Sequence, residues 1–387
     1  MRVLVAFDKF KDALTAREAC EIAARALHEK HPDWQIELSP LTDGGDGFED
    51  VLASGVAGER TPLQVTGPRG SLVEAGFTLV SKSKIPKAAQ SQLPLTSDDG
   101  AKEPLLAIIE MAAASGLALL PPSQRTPWET TSRGTGQLIR AAAEAGASAI
   151  LLGVGGSATH DLGLGALSAL GLEFLTTTGS AVRPPVPSHW EQIVRIEGEV
   201  TATIPPIYIA CDVNNPLLGP AGAATVFAPQ KGLRRDELVA LETASERMAQ
   251  LLCTHCHQPL TLPGTPGSGA AGGIAFGLIC AARAKLLPGF DLVSEWLGLE
   301  EKIAAADLVL TGEGRFDAAS HGGKGPGALA SRAIELGKTV HVFAGQIATS
   351  VNPDRLTLHE ITPTDVPLDQ ALRDASTFLS SAIQRVV

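Results

Sequence analysis

The chain has 387 residues, 44% of them hydrophobic, with 40 glycines and a formal net charge of −11. That length suits two domains with separate cores, and the apolar content excludes a disordered chain. The acidic balance argues against a nucleic-acid or anionic-membrane surface, so an anionic ligand must be met by a few local cations and backbone donors.

No apolar run reaches the ~20 residues needed to span a bilayer. The opening Met1-Arg-Val-Leu-Val-Ala-Phe-Asp8 is broken by its acid too early for a signal-peptide core. Five cysteines form no even, dense framework, and reduced thiols in a cytoplasmic compartment are the expectation.

Residues 2–7 are apolar and β-prone. Residues 15–27 carry helical spacing behind Thr15 and Glu18, the spacing of a capping box. Residues 35–38 alternate and predict a second strand, so the chain opens β-α-β, the start of a parallel sheet. Asp8-Lys-Phe-Lys11 and Asp43-Gly-Gly-Asp-Gly47 then fall at the carboxyl edge, where open α/β sheets bind ligands. An EF-hand is excluded at Asp43, because the twelfth position is Ser54 and not glutamate.

Residues 59–80 predict paired strands around a Gly-Pro turn. Residues 81–103 are polar, without period, and predict an exposed mobile loop with no apolar face to bury. Residues 105–110 resume as a strand. Thr130-Thr-Ser-Arg-Gly-Thr-Gly136 offers hydroxyls, a cation and glycines before a helix expected near Gln137, a candidate oxyanion cradle.

Residues 149–152 form a short apolar run, followed by Gly153-Val-Gly-Gly-Ser-Ala-Thr-His-Asp161 and a helical run over 164–172. Strand, glycine-rich turn and helix start aim backbone N–H groups at an anion, and glycine admits close approach. The same stretch fits the dinucleotide fingerprint G-x-G-x-x-A, with Glu173 near the expected ribose-binding acid. Asp161 counts against that reading, since it sets negative charge where a pyrophosphate would dock.

Cys211-Asp-Val-Asn-Asn-Pro-Leu217 ends an apolar run and places Asp212 at a strand terminus. Gly267-Ser-Gly-Ala-Ala-Gly-Gly273 precedes a helix and predicts another close backbone approach. Residues 236–252 predict a helix ending at Cys253-Thr-His-Cys-His257, which has metal-ligand types but no second pair of partners, so Cys253 and Cys256 are not expected to bind zinc.

Strand, helix, strand returns over 307–311, 325–336 and 339–344, with a closing helix over 365–385. Between them, Thr311-Gly-Glu-Gly-Arg-Phe-Asp317 and Lys324 gather acids, glycines and cations suited to phosphoryl transfer. The Walker-like ending Gly337-Lys-Thr339 is a decoy, because Arg332 stands where glycine is required. The expected architecture is α/β: a discontinuous Rossmann-like parallel-sheet domain, 1–66 plus 286–387, with a second α/β domain, 67–285, inserted.

Assembled in order, these stretches resemble the glycerate kinase family. The resemblance runs through Asp43-Gly-Gly, Glu110-Met-Ala-Ala-Ala-Ser-Gly116, Thr131-Ser-Arg-Gly-Thr-Gly136, Gly153 to Asp161, Cys211-Asp-Val, Asn215-Pro-Leu217, Pro229-Gln-Lys-Gly232, Ala270-Ala-Gly-Gly273 and Thr311-Gly-Glu-Gly-Arg315. It implies ATP- and Mg²⁺-dependent phosphorylation of D-glycerate, usually to 2-phosphoglycerate, by a cytoplasmic enzyme with its site in an inter-domain cleft. Departures from the family pattern are Lys9, Asp12, Asp46, His160 and Phe316.

On this reading Lys11, Asp43, Asp212, Glu313 and Arg315 are the catalytic candidates. Arg315 and Lys11 are expected to contact the anionic glycerate, and Asp43 or Asp212 to position its hydroxyl. Gly155, Gly156, Ser157, Thr159, Gly272, Gly273 and Lys324 are the candidates for the nucleotide, and Asp161 and Asp317 for the metal. A dinucleotide-dependent dehydrogenase of a small hydroxy acid is the rival, and a non-catalytic sugar-acid sensor the third reading. Metal-dependent ADP release with D-glycerate separates the three.

Overall fold

The computed structural model describes residues 1–96, 102–317, 320, 325–348 and 355–387. The chain begins β1 (Arg2–Phe7), α1 (Ala16–Lys30), β2 (Gln35–Leu38), α2 (Phe48–Ser54), β3 (Glu59–Thr66), β4 (Leu72–Ser81), α3 (Lys87–Gln90) and β5 (Leu105–Glu110). It continues through α4 (Met111–Ser115), α5 (Arg133–Glu144), β6 (Ala149–Gly153), α6 (Leu164–Leu170), β7 (Glu173–Leu175), β8 (Arg195–Glu197) and β9 (Ile207–Ala210). Then come α7 (Ala223–Phe227), α8 (Leu238–His255), α9 (Ala270–Ala282), β10 (Lys285–Leu287), α10 (Gly289–Leu297) and α11 (Leu299–Ala305). The last elements are β11 (Leu308–Phe316), α12 (Gly325–Glu335), β12 (Thr339–Ile347), β13 (Leu356–Glu360), α13 (Leu368–Arg373) and α14 (Ala375–Val386).

Two compact units result. The first holds Met1–Asp43, Asp50–Gly55 and Phe290–Val387, and the second Gly44–Glu49 and Val56–Gly289. β3, grouped with the first domain from sequence, pairs antiparallel with β4 inside the sheet of the second unit.

The first unit is built on a five-stranded sheet ordered β13-β12-β11-β1-β2, parallel throughout. β1 explains its layering. Val3, Val5 and Phe7 pack with Ala19, Ala23 and Leu27 of α1 and with Leu379 and Ile383 of α14. The alternate residues Leu4 and Ala6 pack on the other face with Leu299 and Ile303 of α11 and Leu329 of α12. A strand covered by helices on both faces reads as a continuous apolar run, as residues 3–7 do. The Thr15–Glu18 capping box forms as expected, with each side chain bonding the other's backbone N–H.

The second unit carries a six-stranded sheet ordered β10-β9-β6-β5-β4-β3, parallel from β10 to β5 and antiparallel beyond. β7 and β8 form a separate antiparallel pair.

Three local expectations are corrected. Residues 97–101 lie outside the described residues, but the described part of 81–103 does bury apolar side chains: Ile85, Ala89, Leu93 and Leu95 lie in the core, and Lys82 donates to the Leu95 carbonyl at 3.0 Å. Ile85, Ala89 and Leu93 stand four residues apart, a helical spacing masked by the polar residues between them. The helix after Ser132 starts at Arg133 rather than near Gln137. The closing helix is two, broken at Asp374.

Candidate active site

In the first unit the parallel register sets acids side by side at the strand ends. Phe7 pairs with Gly312, and the Asp8 N–H donates to the Gly312 carbonyl at 2.9 Å, so Asp8 lies beside Glu313. The Leu41 N–H bonds Phe7 at 2.8 Å, which brings Asp43 to the same edge. Lys9 Nζ then stands 3.4 Å from Asp43 and 3.8 Å from Asp8. Burial raises the Glu313 carboxyl to about 7, with Asp8, Asp43 and Asp317 adding like charge and a Ser320 hydrogen bond opposing the shift. Its Oε1 is buried with no hydrogen-bond partner among the described residues.

Arg315 projects mostly into solvent, its side chain 63% exposed, with Nε 3.5 Å from Asp317. Lys11 is also exposed, and its backbone lies against Gly314, where a Cβ would come within 3.1 Å of the Lys11 nitrogen. Among the described residues the cation held between Asp8 and Asp43 is therefore Lys9, which composition alone did not single out from Lys11. Lys324 lies outside the described residues.

In the second unit the glycine-rich turn after β6 packs on protein, not on open space. A Cβ at Gly155 would come within 2.4 Å of the Gly45 Cα, and one at Gly156 within 2.5 Å of the Asp46 carboxylate. The Gly155 N–H bonds the Gly44 carbonyl at 2.9 Å. Gly272 and Gly273 have φ of +72° and +88°, and a Cβ at Gly272 would meet the Thr159 carbonyl at 2.0 Å. These glycines answer first to neighbouring backbone.

Asp161 is not placed as a metal ligand. Fully buried, its carboxylate accepts from the Ser132 N–H at 2.7 Å, the Ser132 hydroxyl at 2.8 Å, Gly163 at 3.2 Å and Gly165 at 3.1 Å. All four donors point at it, which makes it an internal staple between α5 and α6. The 130–136 cradle is spent in the same way: Thr130 donates to the Ala158 carbonyl, and Thr135 bonds Ser115.

Three groups beyond the expected set complete this region. Glu110, at the end of β5, accepts from the Gly47 N–H at 3.0 Å and the Glu49 N–H at 3.4 Å. Burial raises its carboxyl to about 7, the Asp46 and Glu49 charges add to that, and the two backbone bonds oppose it. Lys231 is 2% exposed and donates to Ser157 Oγ at 2.7 Å and to the Thr159 carbonyl at 2.6 Å. Burial lowers its ammonium to about 7, against the pull of Asp161. His160 faces Ser245 Oγ at 3.1 Å. Glu110 and Lys231 were visible only as letters in motifs.

Asp212 is half-buried after β9, with Gly289 against its carboxylate, where a Cβ would sit 2.9 Å away. Thr159 Oγ1 is buried without a partner among the described residues. Cys253 and Cys280 sit in the core of this unit, and among the described residues no three His, Cys, Asp or Glu side chains form a metal cage.

The dinucleotide fingerprint fails on geometry. α6 begins only at Leu164, well past the glycines, and Glu173 opens the separate β7–β8 pair. The fingerprint needs the glycine turn to lead directly into a helix N-terminus.

The sequence profile described as "Glycerate kinase family" matches residues 3–387. The chain belongs to the glycerate kinase family. Within it, the chain is 36% identical to "Glycerate kinase" of Bacillus subtilis (strain 168) over 98% of this chain and 95% of the relative. It is also 36% identical to "Glycerate 2-kinase" of Escherichia coli (strain K12), over 91% of this chain and 87% of that one. A crystal structure assigned to a glycerate kinase 2 from Salmonella typhimurium LT2 superposes with a TM-score of 0.74 at 35% identity, covering 100% of this chain and 97% of the other. This member of the glycerate kinase family is a two-unit α/β enzyme, and no helix among its described residues is long and apolar enough to cross a membrane.

Proposed function

We propose that the protein transfers the terminal phosphoryl group of ATP to the 2-hydroxyl of D-glycerate, giving 2-phosphoglycerate and ADP. The observation that carries this reading is the acidic strand-end group of the first unit, with Lys9 beside Asp8 and Asp43, and Glu313 in the field of Asp8, Asp43 and Asp317, in a member of the glycerate kinase family.

A divalent cation fits the donor set. The Glu313 Oε1 atom is buried and unpartnered among the described residues, and the group offers hard carboxylate oxygens. Mg²⁺ takes one or two carboxylates and completes its shell with phosphate oxygens and water, so a prebuilt cage is not needed. Glu313 and Asp317 would hold it. When bound, Mg²⁺ neutralises charge on the phosphate oxygens.

The other residues bind and orient. Asp43, held by Lys9, accepts the hydrogen of the attacking hydroxyl, with Asp212 the alternative acceptor in the second unit. Arg315 and Lys11, both solvent-facing cations, pair with the glycerate carboxylate or the transferring phosphoryl group. The turn from Gly155 to Ser157, exposed at Gly156, meets an anionic group of one substrate.

The test is ADP release from purified protein with ATP, Mg²⁺ and D-glycerate, followed by ³¹P NMR of the product. Coupling of phosphorus to one proton marks the 2-phosphate, and coupling to two marks the 3-phosphate. Absence of glycerate-dependent ADP release sinks the kinase reading, and a two-proton coupling sinks the regiochemistry.

A further inference from the structure

Lys231 presents an energetic problem. Its ammonium is buried, yet both recorded acceptors are neutral: the Ser157 hydroxyl and the Thr159 carbonyl. Among the described residues no carboxylate lies within ion-pair distance of it, Asp161 acting only through its field. An amide side chain could bond the same two acceptors without burying a charge, at far lower desolvation cost. A second cost lies beneath the same turn, where Thr159 Oγ1 is buried without a partner among the described residues. Uncompensated polar groups gathered under one turn mark a place kept for something other than stability.

The donor arithmetic says what that is. An ammonium only donates, so Ser157 Oγ is the acceptor of the 2.7 Å bond, and the Ser157 hydrogen is left to be given elsewhere. No acceptor for it is found among the described residues. Ser157 is largely buried, 8% exposed, and directly follows half-buried Gly155 and exposed Gly156, with the backbone pinned by the Leu117–Gly156 and Ala158–Ser115 bonds at 2.8 and 2.9 Å. A hydroxyl whose oxygen accepts from a cation is a stronger donor, because the two bonds polarise each other.

We propose that Lys231 is a positioning residue that works through Ser157, holding the serine oxygen so that its O–H is donated to an anionic group, phosphoryl or carboxylate, seated on the Gly155–Ser157 edge. This rests on the kinase reading for the identity of the anions. It goes beyond that reading in assigning a buried lysine, which touches no substrate, a part in recognising one. The turn recognises charge through one hydroxyl, and the charge that drives it stays out of solvent.

The experiment is titration calorimetry of ATP and of D-glycerate, separately, into wild type, Ser157→Ala, Lys231→Met and the double variant, with thermal unfolding recorded for each. The expected result is that one of the two anions binds about tenfold more weakly to Ser157→Ala, the loss of one charge-assisted hydrogen bond. The other anion stays within twofold. Lys231→Met loses at least as much for the same anion, and the double variant matches Lys231→Met within twofold, because the lysine acts through the serine. A purely structural lysine predicts a different pattern: lowered unfolding temperature, both anions weakened together, and losses that multiply in the double variant. That pattern overturns the proposal, as does wild-type affinity in Ser157→Ala or no binding of either anion by wild type. If Lys231→Met does not fold, Ser157→Ala alone decides. Turnover of wild type on the same samples reports separately on the kinase reading, since selective binding without phosphoryl transfer would sink that reading and leave this one standing.

Discussion

Glu110→Gln isolates the buried carboxyl at the end of β5. The substitution keeps an acceptor oxygen for the Gly47 and Glu49 N–H groups but removes the charge set among Asp46 and Glu49. The Glu110 pKa is raised from 4.5 to about 7, so the folded state holds its proton more tightly than the unfolded chain. Stability from this group is therefore full below about pH 4.5 and is lost as pH rises through about 7. At 1.36 kcal/mol per pKa unit the full loss is of order 3 kcal/mol, and between pH 5 and pH 8 roughly 2–3 kcal/mol of it is spent. Glutamine does not titrate. The variant should thus gain on wild type by that amount when urea unfolding is measured at pH 8 instead of pH 5. A stability difference between the two proteins that is the same at both pH values would refute the assignment of a buried, proton-holding Glu110.

Asp161→Ala should lower unfolding stability by about 3 kcal/mol or more, because four donors lose their acceptor in a buried site; near-native stability with a changed Mg²⁺ requirement would return Asp161 to the metal. Leu93→Ala should cost about 2–4 kcal/mol in chemical denaturation, since Leu93 is fully buried; a neutral result would restore residues 81–103 as a dispensable loop. Glu313→Gln and Arg315→Ala should each reduce kcat by about a hundredfold in the ADP-release assay, as removal of a preorganised charge does; near-normal turnover in both folded variants would move the chemistry elsewhere.

What could be read from the letters is what is local. The apolar run at residues 3–7 announces a strand covered on both faces, and Thr15 with Glu18 announces a helix start, because both depend on residues within a turn or two. The glycine-rich stretches were legible as close approaches but not in what they approach. Gly155 meets Gly45 and Gly272 meets Thr159, contacts brought about by the sheet and not by spacing along the chain. Asp161 has the same ambiguity: an acid after a glycine-rich turn is a ligand or a staple according to whether donors arrive from α5, and Ser132 arrives.

The contrast between Lys11 and Lys231 carries the point into function. From sequence, Lys11 and Lys324 ranked as working cations because they stand among glycines and acids, whereas Lys231 stood only inside a short motif. Packing reverses the order of constraint. Lys11 is exposed, while Lys231 is buried and bonded to the glycine-rich turn expected from sequence to meet an anion. An exposed lysine near a ligand contributes little more than a screened point charge. A buried one, facing a single hydroxyl, delivers its charge along one bond direction, and so selects for the position of an anion as well as for its sign. That difference is why the serine and the lysine should be perturbed together, and why the loss should fall on one substrate and spare the other.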